Sequence, residues 1–308
     1  MITLKGAAVS AKIKAEVETL LAGLKGKTPR LAIVRVGECP DDLSYERGAL
    51  KKMGSFGLQG ESFAFPQDIT DDAFKEEFSK INENPDIDGI LLLRPLPKQI
   101  KEEDIVHMID PGKDIDGISP ENIAGVFSGE NSCFAPCTAE AVIEMLKANE
   151  ISLIGKRVTI VGRSMVVGRP LAMLMLKENA TVTICHTRTE NLRETCRNAQ
   201  ILVAAAGRAR MFNASYVGKD AAVIDVGINV DENGKLCGDV DFDSLEGAAS
   251  MATPVPGGIG AVTTAVLARH LVLAALKKEE TAGRRLIHLQ PVSLSVQLPT
   301  SQAASSER

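Results

Sequence analysis

The sequence predicts an α/β protein of two domains: an N-terminal α/β substrate domain and a Rossmann-like dinucleotide-binding domain, with the active site in the cleft between them. Three observations carry this. Two successive series of short β-branched runs alternate with helical patterns, an order that yields parallel sheets with right-handed crossovers. Residues 157–170 (R-V-T-I-V-G-R-S-M-V-V-G-R-P) read as strand, glycine turn and helix. That unit offers a helix N-terminus and free backbone N–H groups to a phosphate. At 308 residues the chain is long enough for two such domains.

In chain order, residues 2–4 read as a short strand. The helix after it carries apolar positions at Val9, Ile13, Val17, Leu20, Leu21 and Leu24, on one helical face. Residues 31–36 (L-A-I-V-R-V) form a buried strand ending at Gly37, and Asp41 or Asp42 can cap the next helix, which holds Ser44, Tyr45, Leu50 and Met53 and stops near Gly57. Residues 61–65 are a second strand, 71–81 a helix, and 89–93 a third strand ending in R-P-L-P. Ligands in such sheets sit beyond the carboxyl ends of the strands, so residues 37–45, 94–97 and 113–117 should line one cleft.

A linking helix at 138–148 leads to the second series, with strands at 157–161, 180–185, 201–205 and 222–225. The first of these strands feeds a helix running to about Glu178, and a later helix begins near Leu192, with Thr189 as its expected N-cap. Residues 253–260 (T-P-V-P-G-G-I-G) are rich in proline and glycine, and an apolar helix at 261–276, interrupted by Arg269 and His270, returns to the first domain. The expected division is 1–145 plus 262–280 for the substrate domain and 146–261 for the dinucleotide domain. From Thr281 onward only short apolar pieces remain, broken by Pro291 and Pro299, and 281–308 reads as a disordered or appended tail.

Composition narrows the function. A net charge of −5 gives no electrostatic reason to expect nucleic acid. With 4% aromatic residues and no Trp, base-stacking platforms are not expected either. The six cysteines form no C-x-x-C pair and the four histidines are dispersed, so no metal site is expected. Small buried thiols suit a reducing cytoplasm. The N-terminus lacks the apolar core of a signal peptide, and residues 261–276 suit a packed helix better than a membrane span.

The glycine turn departs from the G-x-G-x-x-G fingerprint: Ser164 stands at the second glycine, and Gly168 comes one residue late. A tight βα connection that needs glycine for its backbone angles would look the same. The residues after the next strand add weight. Where an NAD site places an acidic residue, this chain has Thr187 and Arg188, with Arg163 in the turn. A hydroxyl and a guanidinium suit a 2′-phosphate. The expected cofactor is therefore NADP, with NAD the alternative.

Seven stretches in order resemble one family: residues 36–45 (V-G-x-x-x-x-x-x-S-Y), 89–97 (G-I-L-L-L-R-P-L-P), 110–117 (D-P-G-K-D-I-D-G), 136–138 (P-C-T), 162–170 (G-R-S-x-x-V-G-R-P), 225–229 (D-V-G-I-N) and 254–260 (P-V-P-G-G-I-G). Together, over roughly residues 1–278, they are similar to methylenetetrahydrofolate dehydrogenase/methenyltetrahydrofolate cyclohydrolase. The resemblance implies a one-carbon tetrahydrofolate substrate whose methylene hydride passes to the nicotinamide. It implies that Tyr45 packs against and orients the folate and that Asp116 grips the pterin, these two being the catalytic pair. Gly162, Arg163, Ser164 and Gly168 should form the phosphate turn, Thr187 and Arg188 lie near the 2′ position, and Ile228 pack near the nicotinamide. Pro256, Gly257 and Gly258 should border the substrate. A homodimer formed through the nucleotide domain is also implied. A half-buried helix tyrosine and a turn residue before Gly117 are the plain alternatives for Tyr45 and Asp116.

Two positions depart from the family. Its cyclohydrolase activity relies on a lysine four residues after the tyrosine, on the same helix face, and this chain has Ala49 there. The glutamine that bonds to that lysine is replaced by Leu93, with Arg94 where the family has leucine. Lys51 and Lys52 project well around the helix from position 49. Exchanging both members of a polar pair for apolar groups leaves neither one buried and unsatisfied. The expectation is a dehydrogenase with weak or absent cyclohydrolase activity. The alternatives are a bifunctional enzyme in which Arg94 or Lys52 takes over, and a folate- or nucleotide-binding protein without catalysis.

Overall fold

The computed structural model describes residues 1–289, with side chains as far as Thr281. In chain order it runs β1 (Ile2–Thr3), α1 (Gly6–Leu21), β2 (Arg30–Val36), α2 (Pro40–Ser55), β3 (Gln59–Phe65), α3 (Asp71–Glu83), β4 (Gly89–Leu92), α4 (Glu102–Met108), α5 (Pro120–Ser128) and α6 (Cys137–Ala148). The second half continues with β5 (Arg157–Val161), α7 (Gly168–Lys177), β6 (Thr181–Cys185), α8 (Leu192–Arg197), β7 (Ile201–Ala204), β8 (Ala222–Asp225), β9 (Asn229–Val230), β10 (Leu236–Cys237), β11 (Met251–Ala252) and α9 (Ile259–Leu289).

Two parallel sheets result, as the strand–helix alternation predicts. The first has the order β3-β2-β4, and the second β1-β11-β8-β7-β5-β6. The β5 and β7 runs are buried along almost their whole length, which explains their lack of polar alternation. One outcome differs from a simple two-block chain. Ile2 and Thr3 pair with Met251 and Ala252, so the N-terminal strand completes the second sheet before α1 crosses to the first. Leu4 N–H donates to the Ala252 carbonyl at 2.8 Å and Gly6 N–H to Gly257 at 2.8 Å. These bonds tie the start of α1 to the Pro-Gly-Gly loop.

α9 packs against α1 and α6 with Val262, Ala265, Val266, Leu267, Ala268, Leu271 and Val272 buried. By length and composition Ile259–Thr281 could cross a membrane, yet 67% of its apolar window is buried within the protein, as in a core helix. The helix extends to Leu289, past Thr281 where the sequence places the start of the tail. Residues 281–289 (T-A-G-R-R-L-I-H-L) contain no proline to stop it. The remainder of the expected tail, 290–308, lies outside the described residues.

Candidate active site

A cavity of about 650 Å³ opens between the two sheets, lined by α2 (Asp41 to Gly48), the end of β4 (Leu91 to Arg94), Asp116, the start of α6 (Thr138), the turn before α7 (Val166), the segment after β8 (Val226 to Val230) and the start of α9. Tyr45, Asp116 and Ile228 thus share one wall-to-wall space. A second cavity of about 220 Å³ shares Val226, Ile228 and Leu236 with it and is closed by residues 254–261, including Pro256, Gly257 and Gly258. Ile228, Val230 and Leu236 are 67%, 60% and 40% exposed. Large apolar side chains left bare in a cleft mark a surface for a ligand. Of the segments expected to line the cleft, residues 37–40, 95–97 and 113–115 do not reach this cavity.

Asp116 is held from two sides. The Cys137 N–H, first in α6, donates to its Oδ1 at 3.2 Å. Gly117, with φ +63°, lies so close to the chain at 134–136 that a Cβ there would stand 2.4 Å from the Phe134 carbonyl oxygen, so this turn accepts only glycine. Burial pushes the Asp116 carboxyl up from its ordinary value, and hydrogen bonds from Cys137 pull it back down. Burial, and then the Asp116 charge, push the half-buried Tyr45 phenol well above its ordinary value. It therefore stays a neutral hydrogen-bond donor. The other aspartate of D-I-D, Asp114, is wholly buried and accepts from Ile118 N–H, Ser119 N–H and Asn122 Nδ2 at 3.0, 2.7 and 2.9 Å. It builds the loop and leaves Asp116 to face the cleft.

The residues expected at the dinucleotide cluster at the ends of β5 and β6, which are parallel neighbours with Val161 beside Cys185. Gly162 has φ +141°, and a Cβ on it would meet the Ala205 carbonyl oxygen at 2.2 Å; one on Gly168 would meet the Gly162 carbonyl oxygen at 2.0 Å. Both glycines are required by the turn itself. Arg163 and Ser164 stand exposed in it, and Thr187 and Arg188 are exposed at the end of β6. The Ser164 hydroxyl accepts from Val167 N–H at 3.1 Å, which ties down the turn ahead of α7. These residues fit a phosphate-bearing dinucleotide: exposed cations flank an ordered turn at a helix start. Thr189 is a correction. Its hydroxyl accepts from His186 N–H at 2.8 Å, closing the turn after β6, while α8 starts from Asn191 in a left-handed conformation with no side-chain cap.

Two carboxylates that the sequence did not single out for binding shape the segment carrying Ile228. Asp225 is 3% exposed and accepts from Gly227, Asp239 and Val240 N–H at 2.9, 3.0 and 2.9 Å, the strand-end role open to it from sequence. Burial raises its carboxyl to about 6. Asp239 is also fully buried. It accepts from Ala206, Gly207 and Arg208 N–H at 2.5, 2.9 and 2.8 Å and from Asn229 Nδ2 at 2.9 Å. No motif surrounds Asp239, and its link to Asp225 is visible only in the fold.

Leu93 lines the cavity and Ala49 does not. Ala49 is 0% and Leu93 7% exposed, and both belong to one core cluster with Leu91, against which Tyr45 packs. Lys52 Nζ donates to the Ser10 hydroxyl at 3.0 Å, on α1 and away from the cavity lining. Lys51 is exposed. Arg94 lines the cavity with Nη1 3.4 Å from Glu102 Oε1. Among the described residues no buried side-chain nitrogen or oxygen lacks a partner.

Comparison with known proteins gives a consistent picture. The family profile "Tetrahydrofolate dehydrogenase/cyclohydrolase, catalytic domain" matches residues 4–116, and its "NAD(P)-binding domain" counterpart matches residues 136–279. The chain is 50% identical over 273 residues to the bifunctional protein FolD of Clostridioides difficile, covering 88% of this chain and 95% of that protein. Among solved structures it is similar to the bifunctional FolD enzyme of Campylobacter jejuni, with a TM-score of 0.86 at 37% identity over 89% of this chain and 98% of that one. A further similar structure is the Trypanosoma brucei methylenetetrahydrofolate dehydrogenase-cyclohydrolase complexed with NADP and an inhibitor, with a TM-score of 0.85 at 33% identity over 91% and 98% of the two chains.

Proposed function

Because the chain belongs to the tetrahydrofolate dehydrogenase/cyclohydrolase family, we propose that it oxidises 5,10-methylenetetrahydrofolate to the 5,10-methenyl compound, with NADP as acceptor and cyclohydrolase activity weak or lost. The observation that carries the reading is the cavity on which Tyr45, Asp116 and Ile228 converge, beside the loop of Pro256, Gly257 and Gly258.

The bound dinucleotide supplies the hydride acceptor. Loss of hydride from the methylene carbon leaves a cation shared by N5 and N10, so this step needs no acid or base from the protein. The protein's task is alignment and exclusion of water. Asp116 as a carboxylate accepts from the amino and ring N–H groups of a pterin, and the Tyr45 ring offers a face for stacking. The apolar side chains of Ile228, Val230 and Leu236 keep the far side dry. Gly162, Arg163, Ser164 and Gly168 form the phosphate turn, and Thr187 and Arg188 meet the 2′-phosphate.

Hydrolysis of the methenyl product would need a polar group beside the reacting carbon. Supporting the loss, Ala49 and Leu93 are both core hydrocarbon, only Leu93 reaching the cavity, and Lys52 is engaged by Ser10. A separate amidine-hydrolysing enzyme must then consume the product. Full bifunctionality is the second reading, favoured by the names of the relatives and by Arg94 in the cavity wall. We also propose the division into 1–145 plus 262–280 and 146–261, and a cytoplasmic homodimer formed through the second unit, whose end strand β6 leaves an unpaired sheet edge. Six free, mostly buried thiols suit that compartment.

Steady-state kinetics with methylenetetrahydrofolate and each nicotinamide tests the assignment. Arg188→Ala should lower kcat/KM for NADP about 10- to 100-fold, the value of one charge-assisted pair of roughly 1.5–3 kcal/mol, and leave NAD within about twofold. An equal loss with both cofactors would refute the 2′-phosphate site. No reduction of either cofactor would refute the dehydrogenase.

A further inference from the structure

His270 interrupts the apolar run of α9 and is 3% exposed, yet both of its ring nitrogens face acceptors. Nδ1 lies 2.8 Å from the Ile115 carbonyl oxygen and Nε2 lies 3.0 Å from Glu140 Oε2. A neutral imidazole has one N–H, whichever tautomer it adopts, and only the imidazolium donates to two such acceptors at once. The charge is balanced on the spot. Glu140 also takes Arg269 Nη2 at 2.7 Å, and Arg269 reaches Glu144 at 2.9 Å and Glu16 at 3.0 Å. The other neighbours are the Cys137 thiol, 3.6 Å from Nδ1, and the Phe134 ring, whose centroid is 5.0 Å away.

What the two bonds hold is specific. The Ile115 carbonyl belongs to the peptide whose nitrogen is that of Asp116, and it also accepts from the Cys137 thiol at 3.2 Å. Glu140 sits in the first turn of α6, whose leading N–H, that of Cys137, touches the Asp116 carboxylate. One side chain from α9 therefore grips the main chain before Asp116 and the helix end that holds its carboxylate. We propose that His270 is a positioning residue for Asp116, fixing the carboxylate that meets the folate through the ring N–H it donates to Ile115, while its other N–H, given to Glu140, anchors the ring on α6. The proposal rests on the reading of Asp116 as the pterin-binding carboxylate.

Two conservative variants separate the arms. An Asn amide nitrogen occupies roughly the place of Nδ1 and keeps the Ile115 bond; a Gln amide nitrogen occupies that of Nε2 and keeps the Glu140 bond. With Asp116→Asn as reference, KM for methylenetetrahydrofolate, KM for NADP and the unfolding temperature are measured for all three. His270→Gln should raise the folate KM about tenfold, the worth of one lost hydrogen bond to the positioned peptide. His270→Asn should stay within about threefold of the parent, and NADP KM should not move in either. Equal folate KM values in the two His270 variants would overturn the positioning role, because a merely structural histidine gives no such split. A normal folate KM in Asp116→Asn would instead overturn the reading of Asp116 and, with it, the proposal. Should His270→Gln not fold, proton NMR of the histidine rings in the unsubstituted protein decides the matter. Two exchange-protected ring N–H signals, absent in His270→Asn and both shifted by folate, are expected; one signal, or none that shifts, would contradict the proposal.

Discussion

At the scale of single residues, Ala49 and Leu93 can be understood only as a pair. A lysine alone at position 49 would enter a site with no exposure and without the amide at position 93 that would pair with it, and burial of an unpaired ammonium is costly. The double substitution Ala49→Lys plus Leu93→Gln supplies both partners. It should add methenyltetrahydrofolate hydrolysis above the spontaneous rate by at least about tenfold, on the scale of one positioned proton-transfer group. A stable double variant with no gain would count against the role assigned to this pair. Asp116 carries the pH dependence. Its carboxyl is raised by burial, and only the ionised form accepts from two pterin N–H groups at once, so kcat/KM should fall with acidification at a pH above the ordinary carboxylate value of 3.8. Asp116→Asn should remove that acid limb. A limb that persisted unchanged would assign it to another group.

Among the elements, the segment from β8 to Val240 is held by carboxylates as well as by the short β9–β10 pair. Asp239 satisfies three backbone N–H groups and one side-chain amide. Asp239→Ala leaves four part-buried donors without their acceptor, and should cost roughly 2–3 kcal/mol in denaturant unfolding. A loss under about 1 kcal/mol would show that water replaces the carboxylate. This segment also marks where the sequence stopped being readable. β2 and β5 were legible from their β-branched apolar runs. β9, β10 and β11 have two residues each, too short for any period; β1 was expected as a strand, but its partner lies far along the chain, Ile2 beside Met251. α5 was missed although Ser119-Pro120 is a helix-start signal, with the Ser119 hydroxyl accepting from Asn122 N–H at 3.3 Å. Tyr45 and Asp116 could be named from motifs, but spacing alone does not tell Asp114 from Asp116. The hydrogen bonds commit Asp114 to the loop. His270 had a signal, as a titratable break in an apolar helix, but its partners on α6 and at Ile115 are visible only once the chain is folded.

For the whole molecule, the reaction depends on two sheets meeting at one cavity, and α9 joins them. It begins at the cavity beside Gly260, passes Arg269 and His270, and packs on α1 and α6. The cyclohydrolase question is likewise a property of the complete site, since it turns on what the assembled cavity places beside the reacting carbon. The most direct measurement is a two-wavelength assay of the intact protein with methylenetetrahydrofolate and NADP, following reduced nicotinamide and methenyltetrahydrofolate separately. Both should accumulate in equal amounts, with the methenyl signal decaying only at its spontaneous rate. Reduced cofactor forming while the methenyl signal drains faster than that would contradict the loss of cyclohydrolase and establish a bifunctional enzyme.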